Sequence, residues 1–141
     1  MVNTPGGRAG AEQAGNFAHL EDIGRATQAE VMGFPAEVIQ NDPGSVSDLA
    51  TKVIFGDLWN RPGLSVRERR IITLTVLAVL QSNQVHAPLH IRAALESGDL
   101  TEDELREMAA QIAYYAGWPV ATSFEWSIDK ATGKKTEVED L

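Results

Sequence analysis

One segment of the chain, from Ile71 to Leu80, is apolar on almost every side when it is drawn as a helix. It follows Ser65 and Glu68, whose spacing is that of a capping box and predicts a helix beginning just after Ser65. The β-branched residues of the segment would also suit a strand, but the cap and the helical neighbours favour a helix. A helix that is apolar all round is buried on several sides. In a chain of 141 residues, such burial indicates an oligomer.

Five or six helices are predicted, and no segment alternates as a strand would, so the class is all-α, a compact helical bundle. Thr101 and Glu104 form a second capping box, and Gly117 with Pro119 ends that helix, whose apolar face includes Tyr115. The other predicted helices cover about 17–32, 45–58, 84–96 and 119–130. Apolar side chains that mark the first two are Ile23, Val53, Ile54 and Leu58.

The helices define one domain over 16–131. The residues before it, 1–15, are rich in Gly and small polar side chains and are expected to form a flexible tail. The residues after it, 132–141, alternate in charge with few apolar groups and are expected to form a second flexible tail.

The overall composition excludes several classes of function. A net charge of -8 and a pI near 4.8 argue against nucleic acid as a partner, because phosphate binding relies on an excess of Lys and Arg. The absence of cysteine excludes disulfides and thiol chemistry. No signal sequence is recognised, and the longest apolar run is too short to span a bilayer. The expected protein is cytoplasmic, with no membrane partner.

His86 and His90 stand four residues apart, a spacing that places both imidazoles on one helix face. Zinc sites on helices use the same spacing, but they need a third ligand and no acid lies between the two histidines, so no metal site is predicted. Two other interpretations remain open. His90 is a candidate general acid or base, and it is equally compatible with a structural, hydrogen-bonded histidine. Pro88 suits only a helix start, and a start at Ala87 would leave His86 in a loop.

Four arginines flank a Pro-Gly turn and the start of the apolar helix: Arg61, Arg67, Arg69 and Arg70. Their planar guanidinium groups suit carboxylates, so the cluster is a candidate anion site. The alternative is a solvated helix start that pairs with Asp57, Glu68 or a partner subunit. Trp59 and Trp118 are candidates to line a pocket, and equally to pack in the core or an interface.

Several segments together resemble the γ-carboxymuconolactone decarboxylase family. They are the stretch Phe55-Gly-Asp-Leu-Trp-Asn-Arg-Pro-Gly-Leu64, the Arg-bearing start of the apolar helix, Leu89-His-Ile-Arg-Ala-Ala-Leu95, Leu105-Arg and Tyr115-Ala-Gly-Trp-Pro119. The resemblance covers about 30–128. It implies an alkylhydroperoxidase-like helical subunit that assembles into a ring, as a homo-oligomer such as a trimer or hexamer, with active sites near subunit contacts.

The resemblance also implies an activity: decarboxylation, without a cofactor, of a small anionic lactone or carboxylic acid like 4-carboxymuconolactone, in aromatic compound catabolism. Arginines would bind the anion and the developing enolate, His90 would transfer a proton, His86 would orient it, and indoles would wall the pocket. The predicted catalytic residues are His90, Arg69 and His86. The predicted substrate-binding residues are Arg61, Trp59, Asp57, Glu68 and Trp118.

Two alternatives stay open on the same fold. One is a lyase, isomerase or hydrolase acting on another small acid or lactone, because Gly56-Asp57 stands where typical members have Gly-Glu. The other is a non-catalytic oligomeric binding protein. Related thiol peroxidases carry a Cys-x-x-Cys pair before the helix histidine, whereas this chain has Asn83-Gln-Val-His86, so thiol peroxidase activity is not expected.

Overall fold

The structure is a computed structural model that describes residues 16–82 and 85–134. In these residues all regular structure is helical, which confirms the predicted all-α class. The predicted tail at 1–15 and most of the predicted tail at 132–141 lie outside the described residues. The chain forms two compact units, one up to Gly63 and one from Leu64 onward.

The first unit, in its described part, contains two helices and three short 3-10 turns. Helix α1 spans Glu21–Met32 and ends, as predicted, at Gly33, whose φ of 74° is left-handed. Helix α2 spans Val46–Leu49, is capped by the Ser45 side chain, and continues directly into a π-helical segment, Ala50–Phe55. The 3-10 turns are Ala18–Leu20, Ala36–Val38 and Leu58–Asn60.

The π-helical segment changes which side chains are buried. Its hydrogen bonds reach one residue further than those of an α-helix, as between Gly56 N and Thr51 O at 3.1 Å. A period of 3.6 residues therefore selects the wrong face here. The segment buries Thr51, Lys52 and Phe55. The predicted apolar positions Val53, Ile54 and Leu58 are 36–42% exposed. In α1 the prediction for Ile23 is also wrong, because Gly24, Val31 and Met32 face inward instead.

Four helices form the described part of the second unit: α3 (Val66–Val79), α4 (His86–Ser97), α5 (Glu102–Ala116) and α6 (Trp118–Thr132). Both predicted capping boxes are present, at Ser65 with Glu68 and at Thr101 with Glu104. Gly98, with a φ of 77°, ends α4. Helix α6 packs against α5, α4 and α3. The resulting core includes Leu74, Ile91, Leu105, Ile112, Phe124 and Ile128.

Within one copy of the chain, α3 is buried along a single stripe. Arg70, Leu74 and Ala78 form this stripe, whereas Ile72 and Val76 on another face are 51% and 49% exposed. Burial of α3 on its other sides, which was expected from an oligomer, stays a prediction.

Tyr115 is a second correction, because it is 85% exposed. The buried stripe of α5 follows Leu105, Ala109 and Ala113. With Ile112 included, the centre of this stripe lies roughly 100° around the helix from Tyr115, since successive residues are about 100° apart.

No helix among the described residues is both long enough and apolar enough to cross a membrane.

Gly24 is required by the close approach of α1 to the π-helical segment. A Cβ at this position would lie 2.2 Å from the carbonyl oxygen of Thr51. We expect Gly24→Ala to lower the free energy of unfolding by about 1–3 kcal/mol, because backbone atoms must move apart. Urea denaturation measures this change. Gly63→Ala is the matched control, since nothing lies within 4 Å of its added Cβ. Equal stabilities for the two variants would contradict the packing argument.

Candidate functional site

His90 lies one turn into α4, on the same face as His86, which opens the helix. Pro88 sits in the first turn, where a proline is tolerated, so the helix includes His86 after all. His86 is exposed and His90 is half-buried. The Nδ1 atom of His90 is fully covered and has no hydrogen-bond partner among the described residues. A covered ring nitrogen without a partner is unusual and points to a role other than packing.

Arg70, on the buried stripe of α3, places a positive charge in the second unit's interior. Its side chain is 1% exposed, and its Nε donates a hydrogen bond to Oδ2 of Asp99 at 2.8 Å. Asp99 lies between α4 and α5, and the same Oδ2 accepts a hydrogen bond from Ser97 Oγ at 3.1 Å. The pairing satisfies a charge that would otherwise be costly to bury.

The environment of His90 strongly favours its neutral form. Burial, followed by the charges of Arg70 and His86, lowers the pKa of His90 to about 4. At neutral pH the imidazole is therefore uncharged. It can accept a proton on one nitrogen and donate a hydrogen bond from the other.

Arg61 and Asp57 form an exposed pair in the first unit. Nε and Nη2 of Arg61 donate to the two carboxylate oxygens of Asp57 at 3.1 Å and 2.7 Å. The hydrogen bonds from Arg61 lower the pKa of Asp57, and those same bonds raise the pKa of Arg61. The guanidinium group of Arg61, which was predicted to bind a substrate carboxylate, is thus paired with the carboxylate of Asp57, four residues away in the same chain.

The remaining charged candidates near the start of α3 have identifiable partners or neighbours. Glu68 Oε2 accepts a hydrogen bond from Ser65 N at 2.8 Å as part of the capping box. Arg67 pairs with Glu104 of α5. Arg69 is half-buried and immediately precedes Arg70.

The two candidate indoles differ in exposure. Trp59 is 6% exposed and stacks on Phe55, with ring centroids 6.3 Å apart. Trp118 is 61% exposed and meets Tyr114 edge-on at 5.4 Å, at the junction of α5 and α6. Trp59 therefore packs in the first unit, whereas Trp118 presents its ring for contact with a ligand or another subunit.

An apolar groove of about 430 Å³ runs between α3 and α5. It is lined by Ile71, Thr75, Val79, Met108, Ile112 and Tyr115, among others. Tyr115 thus faces this groove rather than the core.

Sequence analysis missed a buried polar network in the first unit. Lys52 Nζ pairs with Asp48 Oδ2 at 2.8 Å, and both residues are buried. Burial raises the pKa of Asp48, but hydrogen bonds from Lys52 and Gly44 N outweigh it and lower the pKa overall. Thr51 Oγ1 donates to Gln28 at 2.6 Å beside a cavity of about 160 Å³. The i,i+4 spacing of Asp48 and Lys52 was a visible signal for the pair.

In the second unit, Arg70 and His86 each lie within electrostatic range of His90. Sequence analysis named Arg70 in the cluster but preferred Arg69, and it did not single out Asp99. The signal for Arg70 was its spacing of four and eight residues from Leu74 and Ala78, which puts it on the buried stripe. The described residues contain no group of three or more potential ligands able to hold a metal ion.

Comparisons with known proteins give relatives of one kind. The 4-carboxymuconolactone decarboxylase of Acinetobacter baylyi is 33% identical over 73 residues, which cover 52% of this chain and 53% of that protein. The chain therefore spans about half the length of this relative. The nitrosuccinic acid decarboxylase of Metarhizium robertsii is 32% identical over 109 residues, which cover 71% of this chain and 72% of that protein.

A sequence profile of one family matches more than half of the chain, over residues 45–126. The matched part begins at the cap of α2, contains α3, α4 and α5, and ends within α6. The chain belongs to the carboxymuconolactone decarboxylase family.

Proposed function

We propose that the chain is a cofactor-independent decarboxylase of a small acid, with a carboxylated lactone related to 4-carboxymuconolactone as the first candidate substrate. The observation that carries this proposal is the half-buried His90, kept neutral by burial and by the charge of the buried Arg70, in a chain related to two decarboxylases. Such a site must bind an anion and hold a proton-transfer group close to it.

The chemistry requires a place for an electron pair and then a proton. When the carbon–carbon bond to the carboxylate breaks, carbon dioxide leaves and the bonding electrons remain on the substrate. In a carboxylated lactone they are delocalised through the ring double bond to the lactone carbonyl as an enolate. Fixed positive charge stabilises that enolate. Arg69 is proposed to supply it from α3.

His90 is proposed to deliver the proton, and its environment couples that step to binding. Before substrate binds, the imidazole is neutral. A carboxylate bound within about 4–6 Å favours the charged form and raises the pKa of the histidine. Substrate binding therefore favours protonation of His90, and His90 later transfers this proton to the enolate. His86, one turn away, is proposed to orient His90 or to relay its proton, while Trp118 is proposed to exclude water.

A second substrate class is favoured by the more extensive alignment, which is to a nitrosuccinic acid decarboxylase. In a nitro acid the nitro group replaces the carbonyl as the acceptor of the electron pair, and the requirements for positive charge and a proton donor are unchanged. Mixing the purified protein with 4-carboxymuconolactone and with nitrosuccinic acid, and measuring carbon dioxide release, separates the two classes. Ring opening without carbon dioxide would indicate a hydrolase. Binding without turnover would indicate the non-catalytic alternative.

His90→Gln is expected to lower kcat for carbon dioxide release by about 10²–10⁴-fold, because proton transfer by a positioned side chain contributes a factor of this size. Turnover is followed on whichever acid the wild-type protein decarboxylates. His19→Gln is the matched control, since His19 is exposed in the first unit, and it should retain wild-type turnover. Full activity in a folded His90→Gln variant would remove His90 from the mechanism.

The depressed pKa of His90 also predicts how stability depends on pH. The unfolded chain binds a proton near the ordinary pKa of 6.5, and the folded chain only near 4. Acidification from pH 6.5 to 4 therefore favours the unfolded state, by up to about 3 kcal/mol from this one group. We expect the free energy of unfolding of His90→Gln to fall less steeply than that of the wild type over this window. If the free energy of unfolding, measured by urea titration, falls equally steeply with pH in the wild type and in His90→Gln, this prediction is contradicted.

A homo-oligomer is proposed from the apolar surface that one chain leaves exposed. Ile72, Val76 and Val79 lie on α3 at helical spacing and are 48–51% exposed, and Trp118 is 61% exposed. Burying such a surface between subunits is favourable.

Val76→Glu is expected to shift the protein toward smaller species in light scattering coupled to size exclusion, because a charge would be buried in the interface. Ala26→Glu places the same charge on an exposed position of α1 and should leave the mass unchanged. A wild-type protein that is monomeric at all concentrations would rule the interface out.

A further inference from the structure

A polar cavity of about 160 Å³ lies in the first unit. This is room for a small organic molecule rather than for a single water, whose share of liquid volume is about 30 Å³. Helix α1, the loop that follows it, and α2 with its π-helical extension contribute the walls, which include Glu21, Arg25, Ile39, Asn41, Asp48 and Thr51. The decarboxylation proposed above uses none of these residues.

The backbone beside the cavity is π-helical. The segment Ala50–Phe55 turns Thr51 and Lys52 inward, where both are buried. π-helical turns are rare and are frequently found at functional sites. The local conformation therefore marks this part of the first unit as a candidate for more than packing.

Buried polar groups surround the cavity on this side. Asp48 and Lys52 form a buried ion pair. Asn41 Nδ2 donates to Thr51 Oγ1 at 2.8 Å, and Thr51 Oγ1 donates to Gln28 Oε1 at 2.6 Å. Replacing a buried ion pair by apolar residues is often neutral or stabilising. Stability alone therefore does not account for charged and amide groups against a cavity.

Asp48 presents an acceptor that the chain leaves unused. Its Oδ2 accepts hydrogen bonds from Lys52 Nζ at 2.8 Å and from Gly44 N at 2.9 Å. Its Oδ1 has no partner in the part of the chain that the structure describes. A carboxylate has about four lone-pair sites, so Asp48 can accept further hydrogen bonds from a cationic donor in the cavity.

Arg25 presents a donor in the same way. It is half-buried, and its guanidinium forms no hydrogen bond or ion pair with another residue of 16–82 or 85–134. By contrast, Arg61, Arg67 and Arg106 each pair with a carboxylate of the chain. A planar guanidinium binds a carboxylate through two parallel hydrogen bonds. Arg25 is therefore available for the carboxylate of a ligand.

We propose that this cavity binds a small zwitterion, namely an α-amino acid with a short side chain. Its carboxylate would pair with Arg25, and its ammonium group would donate to Asp48 Oδ1. Glu21, one turn before Arg25 on the same face of α1, and the amide oxygen of Asn41 are further acceptors for the ammonium group.

The charges of the site favour a ligand that carries both signs. The acids Glu21 and Asp48 are balanced by the cations Arg25 and Lys52, so a molecule with one net charge would disturb this balance and a zwitterion would not. Ile39, which is 5% exposed, adds an apolar wall for a short side chain.

The first test is isothermal titration calorimetry of the full chain with glycine, L-alanine and L-serine. Propanoate and ethylamine are matched to L-alanine, because propanoate lacks only the ammonium group and ethylamine lacks only the carboxylate. We expect L-alanine to bind about 10–100-fold more tightly than either, since hydrogen bonds to charged groups contribute a factor of this size. In NMR spectra, the amide signals of Asn41, Gly44 and Asp48 should shift on binding.

Arg25→Gln is expected to weaken L-alanine binding by about 10–100-fold, because the paired hydrogen bonds to the carboxylate are lost. Since Arg25 has no partner among the described residues, this variant should fold. Arg67→Gln is the matched control, as it removes an exposed arginine from the second unit and should leave the affinity unchanged.

The ammonium contact has its own variant. Asp48→Asn alone would leave Lys52 buried without its anion, so the double variant Asp48→Asn/Lys52→Met removes both charges. It should weaken the binding of L-alanine and leave that of propanoate unchanged. If this variant does not fold, the comparison of L-alanine with propanoate in the wild type decides the point.

Equal affinities for L-alanine and propanoate would mean a simple anion site and would overturn the proposal. So would the absence of binding by all three amino acids, an equal loss of affinity in Arg25→Gln and Arg67→Gln, or amide shifts confined to the second unit. These measurements require no turnover, so they decide the proposal whether or not the chain decarboxylates an acid.

Discussion

A charged guanidinium inside an aliphatic core is the constraint around which the second unit is built. Arg70 shares its stripe on α3 with Leu74 and Ala78, and α3 can pack against α4 only if that charge is satisfied. The turn after α4 supplies the partner, Asp99, and Ser97 holds it in place. Breaking such a pair leaves an uncompensated buried charge, which costs far more than the pair itself contributes. The end of α4, the turn and α3 therefore depend on one ion pair.

Burial, and after it the charge of Arg70, account for the low pKa of the histidine. A half-buried imidazole resists protonation, and a positive charge strengthens that resistance. In the proposed function, this imidazole stays neutral until a substrate anion binds and would then take up the proton that the reaction requires.

Local signals made much of the fold predictable. Two capping boxes mark helix starts, Ser65 with Glu68 and Thr101 with Glu104. In each box the side chain of one residue accepts a hydrogen bond from the backbone N–H of the other. Gly33 and Gly98 mark helix ends because they take left-handed conformations. The π-helical segment was missed because no residue type marks a π turn, and it carried Val53 and Ile54 to the surface. Burial of the remaining faces of α3 stays a prediction, because hydrophobicity alone does not say which partner covers a face.

The site was only partly predictable, for a related reason. Spacing placed His86 and His90 on one face, but it could not separate Arg69 from Arg70, which differ by one step of about 100° around the helix. That step decides which guanidinium enters the interior. The importance of Asp99 could not be foreseen, because its partner lies 29 residues away in the chain. Roles for Arg61, Trp59, Asp57, Glu68 and Trp118 remain proposals.

The π-helical segment has one more consequence, for how the chain responds to a deletion. A widened turn is equivalent to one additional residue accommodated within an α-helix. Here Asn60 Nδ2 stabilises it by donating to the carbonyl oxygen of Phe55 at 2.7 Å. The extra residue determines the direction around the helix axis in which the following side chains of the first unit point, including those of Trp59 and Arg61. Deletion of one residue within 50–55 would let the backbone adopt ordinary α-helical geometry. The side chains of the following segment would then point in different directions, although their own sequence is unchanged.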